Sequence, residues 1–519
     1  MKTASLIVCL FSFGFLAAQE DVSQLWKDFV KARETGGEPI LPDFSYAGYR
    51  YSEEAILVAK YKEYNIVDFG GIPNDGKTDK AAMEKAIRAA SDNGEGIIFF
   101  PKGKYHINTA EDGDDIIIIP SSKIIFRGEG NRESTLFFEK DLPPKDPEKL
   151  WTVPYAIETE AKGTSKLLAN VTADARRETF EVQVDHPSNF KKGDWIVLKV
   201  RNNSKDLVEY DLRPAIAKPE WTSILEKGVV VNEHHQVMGV NGNIITFFEP
   251  IHYDVQKKHG WTIHSFPHLE NIGFENLVFE GNWARGFEHH RSAQDDGGWS
   301  ILNLKRVVNS WIKDCSFKNV SNAAKFSISA ASTALNINIE GNPGHSSISA
   351  AGGSTGVLLA NINDEAGMWH SAGVGGGSTT GTVIWRSKHP ANTSFESHAS
   401  QPRVTLFDLV EGGFFLGRAG GARQNLPNHG RYLVLWNYEE TDQAEENFEF
   451  WSSKTWYWKI VPPIVVGFHG SGTTFKKDEI QVLESQGKPV DPASLFEAQL
   501  ELRLGELPNW IVEISKELN

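Results

Sequence analysis

Cysteine, cationic charge and long apolar runs are all scarce in this sequence of 519 residues. The chain has two cysteines, Cys9 and Cys315, which excludes the disulfide frameworks of small secreted domains and cysteine-rich structural zinc sites. Lys and Arg number 53 against 68 Asp and Glu, and the resulting net charge of −15 argues against nucleic acid as the partner. After the N-terminus, no stretch approaches the ~20 apolar residues of a membrane-spanning helix. The composition therefore favours a globular protein without membrane insertion.

The first twenty residues, MKTASLIVCLFSFGFLAAQE, have the pattern of a secretory signal peptide. Lys2 is followed by an apolar run from Ala4 to Phe15 and by small residues at Ala17 and Ala18. We predict cleavage after Ala18, which leaves Cys315 as the single thiol of the mature chain. No lipobox cysteine follows the apolar run, so the sequence predicts a secreted or periplasmic protein without a lipid anchor.

The segment YNIVDFGGIPNDGKTDKAAMEKAIRAASDNGEGIIFFPKGKYHI begins at Tyr64. It predicts a strand over residues 66–69, a Gly/Asn/Asp turn, an amphipathic helix that begins near Thr78 or Asp79, and a buried strand over residues 97–100. This order resembles the opening of proteins of the pectate lyase superfamily, in which the helix caps the N-terminal end of a parallel β-helix. The resemblance implies the fold and leaves the reaction open.

Farther along, the chain repeats itself. The segments WSILNL, KFSISA, HSSISA, HSAGVG and HASQPR begin at Trp299, Lys325, His345, His370 and His398, with spacings of 26, 20, 25 and 28 residues. Each spacing is about the length of one coil of a parallel β-helix. The strands do not alternate with helices, which argues against a doubly wound sheet and a TIM barrel. We therefore predict an all-β fold, a right-handed parallel β-helix (solenoid) with an N-terminal capping helix, a β-rich insertion and a C-terminal helix.

The predicted boundaries follow from where this pattern starts, stops and resumes. Asn241-Gly242 is a hairpin signal inside the stretch that interrupts the coils. The tail SLFEAQLELRLGELPNWI predicts a helix that closes the open edge of the solenoid, and it resembles the end of bacteroidete pectate-lyase-like proteins with a poorly characterised C-terminal module. The predicted segments are 1–18 (signal peptide), 19–63 (N-terminal extension), 64–139 (cap and first coils), 140–260 (β-rich insertion), 261–440 (main β-helix with the candidate active site) and 441–519 (C-terminal β segment and helix).

Strand alternation predicts a column of polar residues on the outside of the solenoid. Phe326 and Ile328 belong to the core, so Lys325 and the first histidine of the following coils should face outward. The stretch from Arg285 to Arg431 has 13 basic and 10 acidic residues, whereas the chain as a whole is acidic. A local excess of cations on an acidic protein indicates an anionic ligand there.

An acidic polysaccharide fits this column, and β-elimination fits its residue types. A lyase removes the C5 proton of a uronate with a base such as histidine, after a cation or amide has neutralised the carboxylate. We predict His370 or His398 as the base and Lys325 or Arg403 as the neutraliser. The candidate catalytic residues are Lys325, His345, His370, His398 and Arg403. The candidate substrate-binding residues are Trp299, Arg291, His290, Trp369, Arg418 and His429.

Two alternatives remain open from the sequence. A glycoside hydrolase would need two carboxylates at a defined separation. The candidate acids are Asp295 with Asp296, Asp364 with Glu365, and Glu396 with Asp408 or Glu411. A glycan-binding solenoid without catalysis is the other alternative. The sequence does not identify metal ligands. Many β-helix lyases of the superfamily that this chain resembles use Ca²⁺, so Ca²⁺ stays open as a cofactor. No compact Asp cluster identifies a site for it. The sequence does not predict the oligomeric state.

Overall fold

The computed structural model describes residues 21–130, 132–414 and 420–518, so the predicted signal peptide and Arg418 lie outside the described residues. Its main body is a parallel β-helix, which confirms the predicted fold class. The longest sheet, sheet A, is parallel, and each strand lies beside its counterpart in the next coil. Its strands are Glu63–Asn65, Gly96–Phe100, Gly103–His106, Ile124–Gly128, Ser134–Phe138, Gly273–Glu275, Leu277–Gly281, Trp311–Lys318, Thr333–Glu340, Leu358–Asp364, Thr382–Trp385, Thr405–Asp408, Leu433–Trp436, Ile464–Val466 and Val482–Glu484.

A second parallel sheet, sheet B, forms another side of the coils and carries the candidate site. Its inward side chains, such as Phe326, Ile348 and Ala350, join the core between the sheets. Its strands are Ile117–Ile119, Ile157–Thr159, Ser300–Lys305, Asn322–Ser327, Ser346–Ala351, Gly373–Val374 and Glu396–Ser397. Smaller parallel pairs are Leu269–Glu270 with Val307–Val308, and Glu411–Gly412 with Glu439–Glu440.

An antiparallel sheet, sheet C, interrupts the coils within the predicted insertion. It has its own apolar core and includes the Asn241-Gly242 hairpin, in which Asn241 pairs with Ile244. Its strands are Leu167–Asn170, Glu181–Gln183, Trp195–Asn202, Val229–Asn241, Ile244–Phe247 and Thr262–Ser265. Because Ile157–Thr159 still pairs within sheet B, the solenoid extends beyond residue 140 before sheet C begins.

The N-terminal end of the solenoid is capped by a helix, as predicted. The helix α2, Lys80–Asn93, buries Ala82, Ala86 and Ala90 against the first coil. The strand Gly96–Phe100 follows it. One local prediction was wrong, because residues 66–69 form a 3-10 helix after a shorter strand. The side chain of Asn65, the residue just before this helix, accepts a hydrogen bond from the backbone N–H of Val67. This bond favours a helical turn over an extended chain.

The remaining helices lie mostly on the outside of the solenoid. Outward apolar side chains of sheet A, among them Leu358, Val383 and Trp436, pack against the terminal helices. The predicted closure of an open edge by the C-terminal helix was therefore wrong, because these apolar side chains bind the helix to the outer sheet face. The helices are α1 (Gln24–Thr35), α3 (Lys205–Leu212), α4 (Ala293–Gly297), α5 (Leu495–Leu504) and α6 (Asn509–Leu518). Among the described helices, none is both long and apolar enough to span a membrane.

The coils of sheet B have a register that differs from the predicted alignment. Lys325 pairs with Ser349, which pairs with Gly373, which in turn pairs with Glu396. These coils therefore advance by 24, 24 and 23 residues, whereas the alignment of Lys325 with His345 assumed 20. His345 lies four positions before Ser349, a displacement of about 13 Å along the strand. The predicted single column of Lys325 with the histidines was wrong for this reason.

Candidate active site

The candidate site lies on the outer face of sheet B, across the strands Ser346–Ala351, Gly373–Val374 and Glu396–Ser397. His345 immediately precedes the strand Ser346–Ala351. His370, in the next coil, forms a parallel bridge with Ser346. Glu396 lies in the last strand of sheet B, and His398 follows that strand. Strand alternation places Glu396 and His398 on the same outer face. Imidazoles from successive coils are thus brought together with one carboxyl group.

A glycine makes room for Glu396 in this arrangement. Gly373 lies beside Glu396 in the neighbouring strand. A Cβ atom at Gly373 would lie 2.1 Å from the backbone oxygen of Glu396, which is too close for any side chain. Gly373 has no side chain and Ser349 has a short one. The outer surface of sheet B is therefore recessed at these two positions, between the polar groups.

The loop of residues 282–298 forms one wall of the site and folds around Asp295. This carboxylate is fully buried and accepts hydrogen bonds from Arg285 over 2.9 Å, from Nε of Arg291 over 3.1 Å and from the backbone N–H of Glu288 over 3.2 Å. Buried carboxylates require such partners. Asp295 therefore holds the loop that presents His289 to the sheet.

Asp296 joins this loop to the coils. Its carboxylate accepts the backbone N–H of His290 over 2.9 Å and lies 2.6 Å from Nδ1 of the same histidine. Its backbone carbonyl accepts a hydrogen bond from Nδ1 of His345 over 3.0 Å. Because a carbonyl oxygen can only accept, this bond places the His345 hydrogen on Nδ1 and leaves Nε2 as the unprotonated nitrogen.

Three imidazoles converge between the loop and the coils. The ring centroid of His345 lies 5.4 Å from that of His289 and 5.1 Å from that of His370, and one nitrogen of each of these three rings lies within 4.8 Å of the others. His289 stacks on Trp369 at 4.9 Å. His370 also contacts Glu396 through Nδ1, and its ring centroid lies 6.4 Å from that of His398. In the described part of the chain, this is the His/Cys/Asp/Glu group whose ligand atoms converge enough to hold a metal ion.

Burial shifts the protonation of this cluster. Burial and the nearby His370 lower the pKa of His345 well below its usual range. Burial, with the neighbouring His290, lowers the pKa of His289 to about 4, and burial also lowers the pKa of His398. Burial raises the pKa of Glu396 to about 8. At neutral pH the environment therefore favours uncharged imidazoles, which are bases and metal ligands.

The domain of sheet C forms the other wall, at the ends of the sheet B strands. Asn232 donates to Ser378 over 3.0 Å, and the backbone N–H of Val230 donates to Gln401 over 2.9 Å. The outer face of sheet B is therefore bordered by the 282–298 loop on one side and by the antiparallel domain on the other.

Lys325 occupies this face but does not belong to the imidazole cluster. Its register row reaches Glu396 only after three strand-to-strand steps, about 14 Å away. Its ammonium lies 4.4 Å from the centre of the Tyr155 ring, and burial lowers its pKa.

Several predicted site residues have structural positions instead. Arg403 is 1% exposed and donates to the carbonyl of Val230 over 2.9 Å and to Asp211 over 3.2 Å, so it anchors the antiparallel domain to the solenoid. Its predicted role as the neutraliser was wrong, because a polymer on the surface cannot reach a guanidinium in this interface. The predicted substrate-binding role of Trp299 was also wrong, since this side chain is buried in the core and donates to the carbonyl of Phe138 over 3.0 Å.

Two further predictions are corrected in the same way. His429 is fully buried, lies 3.0 Å from the hydroxyl of Thr405, and has a pKa lowered to about 4 by burial, so it is not a substrate-binding residue. The predicted substrate-binding role of Arg291 is corrected as well, because its guanidinium donates to Asp295 and holds the loop. Arg418 lies outside the described residues, and its predicted role stays a prediction. His290 and Trp369 lie beside the imidazole cluster, and their substrate-binding roles stay predictions.

The carboxylate pairs considered for a hydrolase are mostly structural. Asp408 is fully buried and accepts hydrogen bonds from Ser494 over 2.6 Å and from the first turn of α5. Asp364 is buried against the backbone N–H of Gly367, and Glu365 is exposed. Asp296 and Glu396 are the two that reach the imidazoles, although neither was predicted with the other.

Sequence reasoning did not select His289, Asp296 and Glu396 as partners of the histidine column. The string HHRSAQDDGGW, which begins at His289, was the available signal, since it concentrates ligand-type side chains in eleven residues. Alternation along a strand would separate such neighbours. The loop folds around Asp295 instead, and this brings them to one side.

Comparisons with known proteins agree with the architecture. A family model described as "Rhamnogalacturonase A/epimerase, pectate lyase-like" matches residues 64–184, and a domain of unknown function (DUF4955) matches residues 367–514. The mannuronan C5-epimerases AlgE3 and AlgE5 of Azotobacter vinelandii are 28% and 29% identical to the chain over 123 residues. That stretch is 24% of this chain but only 6% and 12% of those proteins.

Solved structures with a similar outline have low sequence identity. The tailspike protein gp49 from Pseudomonas phage LKA1 has a TM-score of 0.46 and 12% identity, with 78% of this chain and 71% of that chain covered. The surface adhesin PfbA of Streptococcus pneumoniae has a TM-score of 0.42 and 10% identity, with 80% of each chain covered. The matched segment at Tyr64 is the one in which the resemblance was found, and the coils that follow form a parallel β-helix. Residues 64–184 are therefore similar to a pectate lyase-like family, and the chain as a whole forms a parallel β-helix.

Proposed function

We propose that this protein is a secreted or periplasmic polysaccharide lyase that cleaves a uronate-containing polysaccharide, sulfated or not, by β-elimination. The observation that carries the proposal is the cluster of imidazoles and carboxyls on the outer face of sheet B, between two walls. The name of the mannuronan C5-epimerases supports a related chemistry. Epimerisation and elimination at C5 of a uronate both begin with removal of the C5 proton.

The geometry supports distinct roles for two histidines. His398 is half-buried on the outer face and is the proposed base. It takes the C5 proton, the electron pair forms the C4=C5 double bond, and the C4–O bond breaks. His290 is exposed, with Nδ1 held by Asp296 at 2.6 Å, so its outer nitrogen can protonate the departing oxygen. The remaining imidazoles lie between these two and would face the substrate carboxylate.

A glycoside hydrolase is the second candidate, and one observation favours it. Asp296 and Glu396 both border the imidazole cluster, Asp296 through His290 and Glu396 through His370. A raised pKa at one carboxyl and an ionised partner would serve hydrolysis. The two reactions leave different products, because only elimination creates an unsaturated sugar.

The first experiment follows ultraviolet absorbance while the purified mature chain is incubated with a panel of uronate-containing polysaccharides. A rising signal from a C4=C5 double bond is expected, and His398→Ala should reduce it by at least about 100-fold. His186→Ala is the matched control, since His186 lies exposed in the antiparallel domain beside Asp185. New reducing ends without absorbance would replace elimination by hydrolysis. Binding without any change in polymer length would favour a glycan-binding solenoid.

A further inference from the structure

We propose that His289, His345 and His370 bind a transition-metal dication of the Zn²⁺ class. One nitrogen of each ring lies within 4.8 Å of the others, and the three histidines come from three separate segments of the chain. Three imidazole nitrogens gathered from separate segments form a donor set for a transition-metal ion.

The partners of these rings orient them as metal ligands. Nδ1 of His345 donates to the carbonyl of Asp296 over 3.0 Å, and Nδ1 of His370 contacts the carboxyl of Glu396. Both contacts use Nδ1, which leaves Nε2 of each ring available to an ion. Metal-binding histidines in proteins characteristically engage a carbonyl or carboxylate with the other ring nitrogen.

The third ring comes from the loop. His289 stacks on Trp369 at 4.9 Å, and its ring centroid lies 5.6 Å from that of His370. Zn–N bonds of about 2.0–2.1 Å in a tetrahedron require nitrogen atoms about 3.3 Å apart. The three nitrogens lie within 4.8 Å of one another, so closing the gaps by at most about 1.5 Å would bring them to that separation.

The donor set also selects the class of ion. Three imidazole nitrogens suit Zn²⁺ and related transition metals, whereas Ca²⁺ and Mg²⁺ prefer oxygen ligands. Three protein ligands leave a fourth position open, which is the arrangement of catalytic rather than structural zinc. An anionic oxygen of a ligand would fit that position.

If the proposed function is right, this ion would neutralise the uronate carboxylate. The cations that the sequence suggested for this task are engaged elsewhere: Lys325 lies over the Tyr155 ring, and Arg403 pairs with Asp211. A positive charge beside the carboxylate is needed to stabilise the negative charge that develops when the C5 proton leaves. A dication beside His345 and His370 can do so.

Metal binding is tested without substrate. The mature chain, free of any polyhistidine tag, is stripped with chelator and titrated with Zn²⁺ by calorimetry, and Co²⁺ is added separately to read the coordination geometry from its visible spectrum. One ion per chain and a tetrahedral Co²⁺ spectrum are expected. Failure to bind Zn²⁺ in a chain that remains folded would overturn the proposal.

Variants locate the ion. His289 lies in the loop of residues 282–298, so His289→Ala should abolish Zn²⁺ binding without unfolding the solenoid. His345→Ala should also abolish Zn²⁺ binding without unfolding it. Glu396→Gln should weaken Zn²⁺ binding by about 10–100-fold, because it replaces the carboxyl group that contacts Nδ1 of His370. His186→Ala and His398→Ala are controls that should bind Zn²⁺ as the native chain does. Unchanged binding in both His289→Ala and His345→Ala would overturn the site.

The two proposals fail in different ways. Stoichiometric Zn²⁺ binding at these histidines, without double-bond formation on any substrate, supports the metal site and counts against the lyase. Double-bond formation that persists in the stripped chain, together with no Zn²⁺ binding, supports the lyase and overturns the metal site.

Discussion

His345 and Asp296 are joined by a hydrogen bond of 3.0 Å from the imidazole Nδ1 to the backbone carbonyl. This bond ties a coil of the solenoid to the loop that carries His289 and His290. The side-chain carboxylate of Asp296 meanwhile holds His290. One residue therefore positions histidines from two segments, and the site depends on it.

Replacing Asp296 by Asn should separate these two functions. Asp296→Asn keeps the backbone carbonyl that accepts from His345, but it loses the negative charge beside His290. We expect kcat of the proposed elimination to fall by about 100-fold or more, because His290 would no longer be held as a proton donor. Steady-state kinetics and the melting temperature, measured on the same preparation, check this. Native kcat in the variant would remove His290 from the mechanism.

Lys325 should affect polymer binding more than chemistry. It lies on the same outer face as Glu396 but about 14 Å away. Lys325→Met should raise KM for long polymers several-fold and leave kcat nearly unchanged, and short oligosaccharides should show little effect. Lys313→Met, in a strand of sheet A, is the matched control. A large loss of kcat in Lys325→Met would instead place Lys325 at the reacting sugar.

Arg403 should matter for stability. Its guanidinium is buried, pairs with Asp211 over 3.2 Å and lies 5.0 Å from the Tyr253 ring centre. Arg403→Met should lower the free energy of unfolding by about 3–5 kcal/mol, since it leaves the buried Asp211 carboxylate without its cationic partner. Urea denaturation measures this loss. The double variant with Asp211→Asn should recover part of it, and a stable but inactive Arg403→Met would contradict the assignment.

Alkaline pH should destabilise the antiparallel domain through His235. Burial opposes a charge on this imidazole, but Glu233 at 3.3 Å and Glu249 at 3.1 Å raise its pKa to about 9. Because the folded pKa lies above the unfolded value of about 6.5, the stabilisation is fully present below pH 6.5 and is lost as the pH rises through 9. Melting temperatures between pH 6 and 10 measure this effect. His235→Gln should be less stable at pH 6 and should show a flatter profile in that interval.

Local patterns were good predictors where a single element decided the outcome. The helix α2 begins after Asp79, and the buried strand Gly96–Phe100 follows it, as the spacing of apolar residues predicted. Residues 66–69 were misassigned because a strand and a 3-10 helix of four apolar and acidic residues look alike in sequence. The side chain of Asn65 makes the difference there.

The site was predicted less well, because its residues depend on how coils align. The alignment by similar hexapeptides placed Lys325 beside His345, but turns of unequal length shift the register by four residues. Glu396 and Gly373 are neighbours only through that register. His289 joins the cluster only because Asp295 is buried and folds the loop around itself.

The sequence by itself determined that this chain is a parallel β-helix with an N-terminal cap, a β-rich insertion and outward histidines on successive coils. Alternation and turn spacing are local properties, and they carry that information directly. The tertiary structure alone decided which polar residues meet. It moved Arg403 into an interface and Trp299 into the core, and it brought His289 to His345 and His370. Burial and coil register are set by contacts between distant segments, so no pattern along one stretch of chain could determine them.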